Sequence, residues 1–133
     1  MDILIDTNVL LYMAYAPARL TPTVVHILED SDQTLWYSAA SIWEVVIKSR
    51  LNQPGFTVDP EQFRLGLFDA GLFELPINGE HLLEVSNLPE SISEDPFDRL
   101  IVAQSHYNRL PLLTSDDKLI TSVGDYITVI PND

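Results

Sequence analysis

The sequence predicts a three-layer α/β/α fold around a central parallel sheet, and three observations predict it. Short apolar runs without polar alternation recur along the chain, as expected of strands buried on both faces. Each is followed by a segment with helical start and stop residues. Alternation of the two implies right-handed crossovers, which place the strand ends along one edge and helices over both faces. At 133 residues, 46% of them hydrophobic, the chain has the length of one domain (1–133) with a substantial core.

The elements follow in order. Ile3, Leu4 and Ile5 are the first strand, and residues 7–14 (TNVLLYMA) a helix that ends before the breaker Pro17. A second helix runs from about Thr21 to Glu29, with Thr21 as cap and Pro22 at its first position. Residues 34–37 (TLWY) are β-branched and aromatic, hence a strand, and residues 38–51 a helix closed by Asn52, Pro54 and Gly55. Asp59-Pro60 opens a helix to about Asp69, and residues 72–77 (LFELPI) form a short strand. Asn78 or Gly79 starts a helix near residues 81–87, and residues 88–94 read as loop. Asp95-Pro96 caps a helix to about Asn108, followed by a strand at 111–114, a short helix at 116–121 and a strand at 126–130.

Composition narrows the function. Twenty acidic residues against seven basic ones give a net charge of −13, beyond the roughly 2–8 suited to a small soluble domain. Such a field repels nucleic acid, phosphate substrates and anionic membranes, so an anionic partner has to be reached through bound cations. With no cysteine and three scattered histidines (His26, His81, His106), disulfides, thiol nucleophiles and thiolate metal sites are excluded and zinc is disfavoured. The opening apolar run stops at Asp6, too short for a leader or a spanning helix, so a cytoplasmic protein without a membrane partner is expected.

Four carboxylates then stand out by position. Asp6 ends the first strand, Glu44 lies about one turn into the helix after the second, and Asp98 sits in the first turn after Asp95-Pro96. Asp116 follows the strand that ends at Thr114. Each has a structural explanation: helix caps for Asp6 and Asp116, a dipole-complementing position for Asp98, and an i,i+4 pair with Lys48 for Glu44. Together, however, a parallel topology brings all four to the carboxyl edge of the sheet, where ligands bind in such folds. Clustered carboxylates raise one another's pKa unless compensated, and hard oxygen ligands suit magnesium or manganese. The chemistry implied is metal-assisted phosphodiester hydrolysis. Helical spacing sets Asp98 over Ile101, Val102 and Ser105, facing inward, whereas Asp95 is the cap. Likewise Asp116 is assigned to the metals and Asp117 to the start of the last helix. Arg99, Lys48, Arg50 and Lys118 lie near the acids in sequence, either as local partners or as phosphate holders.

At these residues the sequence resembles the PIN-domain family, and within it the VapC-type toxin ribonucleases. The resemblance rests on the ordered set Leu4–Leu11 (LIDTNVLL), Ser41–Lys48 (SIWEVVIK), Asp95–Gln104 (DPFDRLIVAQ) and Leu112–Asp116 (LLTSD). It implies a PIN-like fold and a Mg2+- or Mn2+-dependent endoribonuclease, the toxin of a type II toxin–antitoxin pair. It also implies an RNA substrate, a cognate antitoxin and frequent homodimerisation. By that resemblance Asp6, Glu44, Asp98 and Asp116 form the catalytic metal site, supported by Thr7, Asn8, Thr114 and Arg99. The chain departs from the subgroup at Glu94, where His or Arg is expected.

Two alternatives differ in class. A non-catalytic binding or regulatory module of the same fold would be expected to lack one of the acids, and none is missing. A phosphate-accepting receiver would want an aspartate near Leu75-Pro76, and there is none. The segment Val9–Leu20 carries Leu10, Leu11, Tyr12, Met13 and Tyr15, more than one buried face needs, and with Trp43 it is read as an apolar surface for the antitoxin.

Overall fold

Backbone chemistry at the ends of the elements fixes where they begin. The computed structural model describes residues 1–51 and 53–133. Five strands, β1 (Asp2–Ile5), β2 (Thr34–Ser38), β3 (Phe73–Leu75), β4 (Leu112–Thr114) and β5 (Val129–Pro131), form one all-parallel sheet in the order β3-β2-β1-β4-β5. Between them lie α1 (Thr7–Tyr15), α2 (Pro22–Glu29), α3 (Ala39–Arg50), α4 (Pro60–Asp69), α5 (Gly79–Val85), α6 (Pro96–Asn108) and α7 (Asp117–Ser122). The predicted α/β/α class is the fold observed. Thr21, Asp59 and Asp95 each cap a helix whose first residue is proline, because that position has no intrahelical use for an N–H.

Side chains of β1 alternate between two cores. Ile3 and Ile5 join Val9, Leu10, Val24 and Leu113 on one face, while Leu4 joins Ile101, Val102 and Leu112 on the other. That is the period of two expected of a strand covered on both sides. The order of the sheet reverses direction between β1 and β4: β2 and β3 are added on one side, β4 and β5 on the other. A crevice opens at such a reversal, beyond the carboxyl ends of the strands.

Two features differ from expectation. A 3-10 turn, Pro17–Arg19, joins α1 to α2, where only a break was expected. The last strand begins at Val129 rather than Tyr126, since Tyr126 turns its hydroxyl to Glu84 (2.8 Å), Ile127 fills the core, and pairing with Leu112 starts at Val129. Of the proposed stop after α3, Asn52 lies outside the described residues.

A buried polar network crosses the face covered by α6. Ser38, which ends β2 and caps α3, donates to the Gln104 carbonyl, and the Gln104 amide donates to Pro76 O (3.3 Å). His81 is buried; its Nδ1 accepts from the Asn78 N–H (3.2 Å), so Nε2 carries the proton toward Asn108 Oδ1 (2.7 Å). Gln104→Leu leaves the Ser38 hydroxyl and the Pro76 carbonyl without these partners. The expected loss is about 1–3 kcal/mol of unfolding free energy, read by urea denaturation against the wild-type chain.

Candidate active site

Asp6 is placed at the crevice by the end of β1 itself. Its backbone N–H still pairs with Leu113 O (2.9 Å), and its side chain, 3% exposed, begins α1 by accepting from the Thr7 N–H at Oδ1 (2.8 Å). Oδ2 accepts from Thr114 Oγ1 across the β1–β4 boundary (2.7 Å). Thr7 in turn shares a buried hydrogen bond with Ser41 (2.8 Å), tying α1 to α3 one turn before Glu44. Burial pushes the Asp6 carboxyl up to about 6 although both hydrogen bonds oppose it, and Glu44 and Asp116 add to the rise.

Asp98 stands in the first turn of α6, above the buried Ile101, Val102 and Ser105, and accepts from Ser93 Oγ (3.3 Å). It is raised to about 7, first by burial and then by Asp6, Asp95, Asp116 and Glu44. The four expected acids therefore share one electrostatic neighbourhood. Glu44 is buried and paired with Lys48 (3.1 Å). Among the described residues no three acids or histidines already stand as a coordination shell. The donor set nonetheless suits a divalent cation: all hard carboxylates, two of them raised by burial and by one another's charge.

Two expected roles are corrected. Asp116, not Asp117, starts the last helix: its Oδ1 accepts from the N–H groups of Lys118 (2.9 Å) and Leu119 (3.3 Å), while Asp117 is the first helical residue and is exposed. Asp116 thus caps the helix and also faces Asp6 and Asp98. Of the two uses open to Arg99, pairing with a neighbouring acid is not the one seen. Its guanidinium donates to the carbonyls of Val85, Leu88, Pro89 and Ser93, fastening the loop ahead of α6. Of the supporting residues, Thr7 and Thr114 contact the site as described, whereas Asn8 is exposed. Ser41 and Ser93 were not foreseen. Ser41 could have been found from its i,i+3 spacing to Glu44; Ser93 has no comparable signal in the sequence.

The apolar surface expected on α1 is smaller than its composition. Leu10 is core, Leu11 and Met13 pack against it, and Arg19 covers the Tyr12 ring at 4.7 Å. Tyr15 and Trp43 remain 54% and 53% exposed. No described helix is long and apolar enough to cross a membrane.

A profile of the PIN domain family matches residues 3–124. No curated protein sequence matches the chain. Among solved structures, VapBC2 of Rickettsia felis bound to a promoter DNA fragment is similar over 100% of both chains, at 15% identity and a TM-score of 0.73. VapBC-1 from nontypeable Haemophilus influenzae matches over 98% of both chains at 16% identity and 0.67. DNA-bound VapBC of Salmonella typhimurium matches over 100% of this chain and 99% of its own at 13% identity and 0.68. At these identities the likeness is one of fold.

Two predictions follow from the geometry. Asp6 and Asp98 are raised, so in metal-free protein the stability they contribute is complete below their ordinary 3.8 and is lost as pH rises through about 6 and 7. Asp98→Asn should therefore raise the Tm of EDTA-treated protein at pH 8 by several degrees and leave it nearly unchanged at pH 4, as scanning calorimetry can show. Separately, Asp95 Oδ1 accepts from the N–H groups of Phe97 (2.8 Å) and Asp98 (3.1 Å). Asp95→Ala should lose about 0.5–2 kcal/mol in chemical denaturation, and the exposed Asp117→Ala much less.

Proposed function

The chain belongs to the PIN domain family, and on that premise we propose that it is a Mg2+- or Mn2+-dependent endoribonuclease, the toxin of a type II toxin–antitoxin pair. One observation carries the nuclease reading. A buried aspartate, Asp6, is held by Thr114 at the reversal of strand order, with Glu44, Asp98 and Asp116 near enough to act on its carboxyl or on one another. A helix cap needs no burial, and Asp98 caps nothing. A non-catalytic module would have no use for that arrangement.

In this reading Asp6, Glu44, Asp98 and Asp116 hold the metal. When bound, the ion would supply positive charge against the phosphodiester and assist deprotonation of the attacking water. The chain's own residues do the positioning. Thr7 N–H and Thr114 Oγ1 fix both oxygens of Asp6, and Ser93 orients Asp98. Ser41, bonded to Thr7, sets the phase of α3 and with it the height of Glu44 over Asp6. Lys48, one turn on, pairs with Glu44 at 3.1 Å and fixes the direction of its carboxylate.

The toxin reading is supported by the solved toxin–antitoxin complexes of similar fold. Their partners suggest a small antitoxin for this chain, with apolar anchors near Tyr15 and basic residues toward the acids, and homodimerisation is the assembly that accompanies it. RNA of the cytoplasm is the substrate class. Asp6→Asn and Asp98→Asn should each lower cleavage of a mixed RNA pool in Mn2+ by at least a hundredfold while the far-ultraviolet dichroism is unchanged. Full activity of either variant would remove the acids from the chemistry.

A further inference from the structure

We propose that Trp43 and Phe97 form a stacking platform for a nucleobase next to the scissile phosphate, an assignment that rests on the nuclease reading above. The two rings meet edge to face at 4.8 Å between centroids, and Trp43 remains 53% exposed. Each ring is the chain neighbour of an acid, Trp43 of Glu44 on α3 and Phe97 of Asp98 on α6. Helices α3 and α6 meet at the aromatic pair, and their acids lie near one another too, since Glu44 raises Asp98. A nucleotide whose phosphate lies at the acids has its base within reach of the rings.

The occupant is argued from charge. The net charge of −13 opposes RNA, and several of the cations that could offset it are already engaged. Lys48 is paired with Glu44 and Arg99 with four carbonyls. Farther off, Arg64 is paired with Glu74 and Arg19 lies on Tyr12. Lys118, lining a cleft with Asp98 and Asp116, remains beside the acids, with Arg50 exposed at the end of α3. Phosphate contacts that normally dominate single-strand affinity are therefore few, and base stacking, which carries no charge requirement, is the attraction available. Splayed single-stranded bases stack on such side chains.

The test starts from the shortest RNA fragment that spans a cleavage position mapped in total RNA with Mn2+. Trp43→Ala should raise KM roughly tenfold or more with kcat within twofold, and Trp43→Phe should retain most of the affinity. A fragment made abasic beside the scissile phosphate should reproduce the loss for the wild type and add none for Trp43→Ala. In Trp36→Phe protein, which leaves Trp43 as the sole tryptophan, the intact fragment should quench fluorescence and the abasic one should not. Unchanged KM in Trp43→Ala together with undiminished cleavage of the abasic fragment overturns the platform and leaves the nuclease standing. Loss of antitoxin inhibition with unaltered RNA kinetics reassigns the pair to protein docking and also overturns it. Absence of any metal-dependent cleavage by the wild type removes the nuclease reading itself.

Discussion

The hydrogen bond from Thr114 Oγ1 to Asp6 Oδ2 joins the two halves of the sheet at their carboxyl edge. It spans 108 residues of chain, and it works only if β1 and β4 are neighbours in register, Ile5 opposite Leu113. The backbone supports the same junction: Asp6 N–H donates to Leu113 O, and Asn132 N–H donates to Thr114 O, adding the end of β5 to the seam. Asn132 then reaches to the start of α2, accepting from Thr21 N–H and donating to Arg19 O. The carboxylate at the centre of the site is thus also a cross-link of the fold. Its burial is tolerable because both oxygens have donors, and without them an isolated carboxylate there would be strongly disfavoured.

The acidic surface is easier to reconcile with the structure once Arg64 and Arg99 are located. Arg64 lies against Glu74 (2.8 and 3.1 Å), which also accepts from the Tyr37 hydroxyl, so the guanidinium helps to cover the edge of the sheet between β2 and β3. Arg99 serves carbonyls of the 85–93 segment that no strand or helix satisfies. Local sequence proximity to an acid therefore says little about the use of a basic residue: Arg99 adjoins Asp98 and yet bonds backbone. Direction along the helix decides it, since neighbouring positions point about 100° apart.

This distinction marks what was legible in the sequence. Helix starts were readable because their chemistry is local: Thr21-Pro22, Asp59-Pro60 and Asp95-Pro96 each announce a cap and a first turn. The doubly covered strand Ile3–Ile5 was readable from its unbroken apolar run, and the gathering of strand ends from the alternation of elements. The order of the strands was not, for it depends on which faces pack together. The assignment of the last helix's cap to Asp117 rather than Asp116 failed for a related reason. One residue of phase separates the two, and the turn after β4 is tightened by Thr114 Oγ1 accepting from Asp116 N–H (3.1 Å), a contact set by tertiary position. The surface of α1 was overread because amino-acid type does not say which apolar residue an arginine will cover.

The acids coexist in the metal-free chain because each has a separate source of partial positive charge. Asp6 begins α1, Asp98 lies in the first turn of α6 and Asp116 begins α7, so the positive ends of three helices converge on the crevice. Glu44 is mid-helix, where the dipole gives nothing, and it is the acid with a lysine one turn on. Helix ends supply about 0.3–1 kcal/mol each at exposed positions, too little to cancel the burial that raises Asp6 and Asp98. Compensation is therefore sufficient for folding and insufficient for comfort. Each positive charge brought to these acids would therefore relieve the burial and mutual repulsion that raise Asp6 and Asp98.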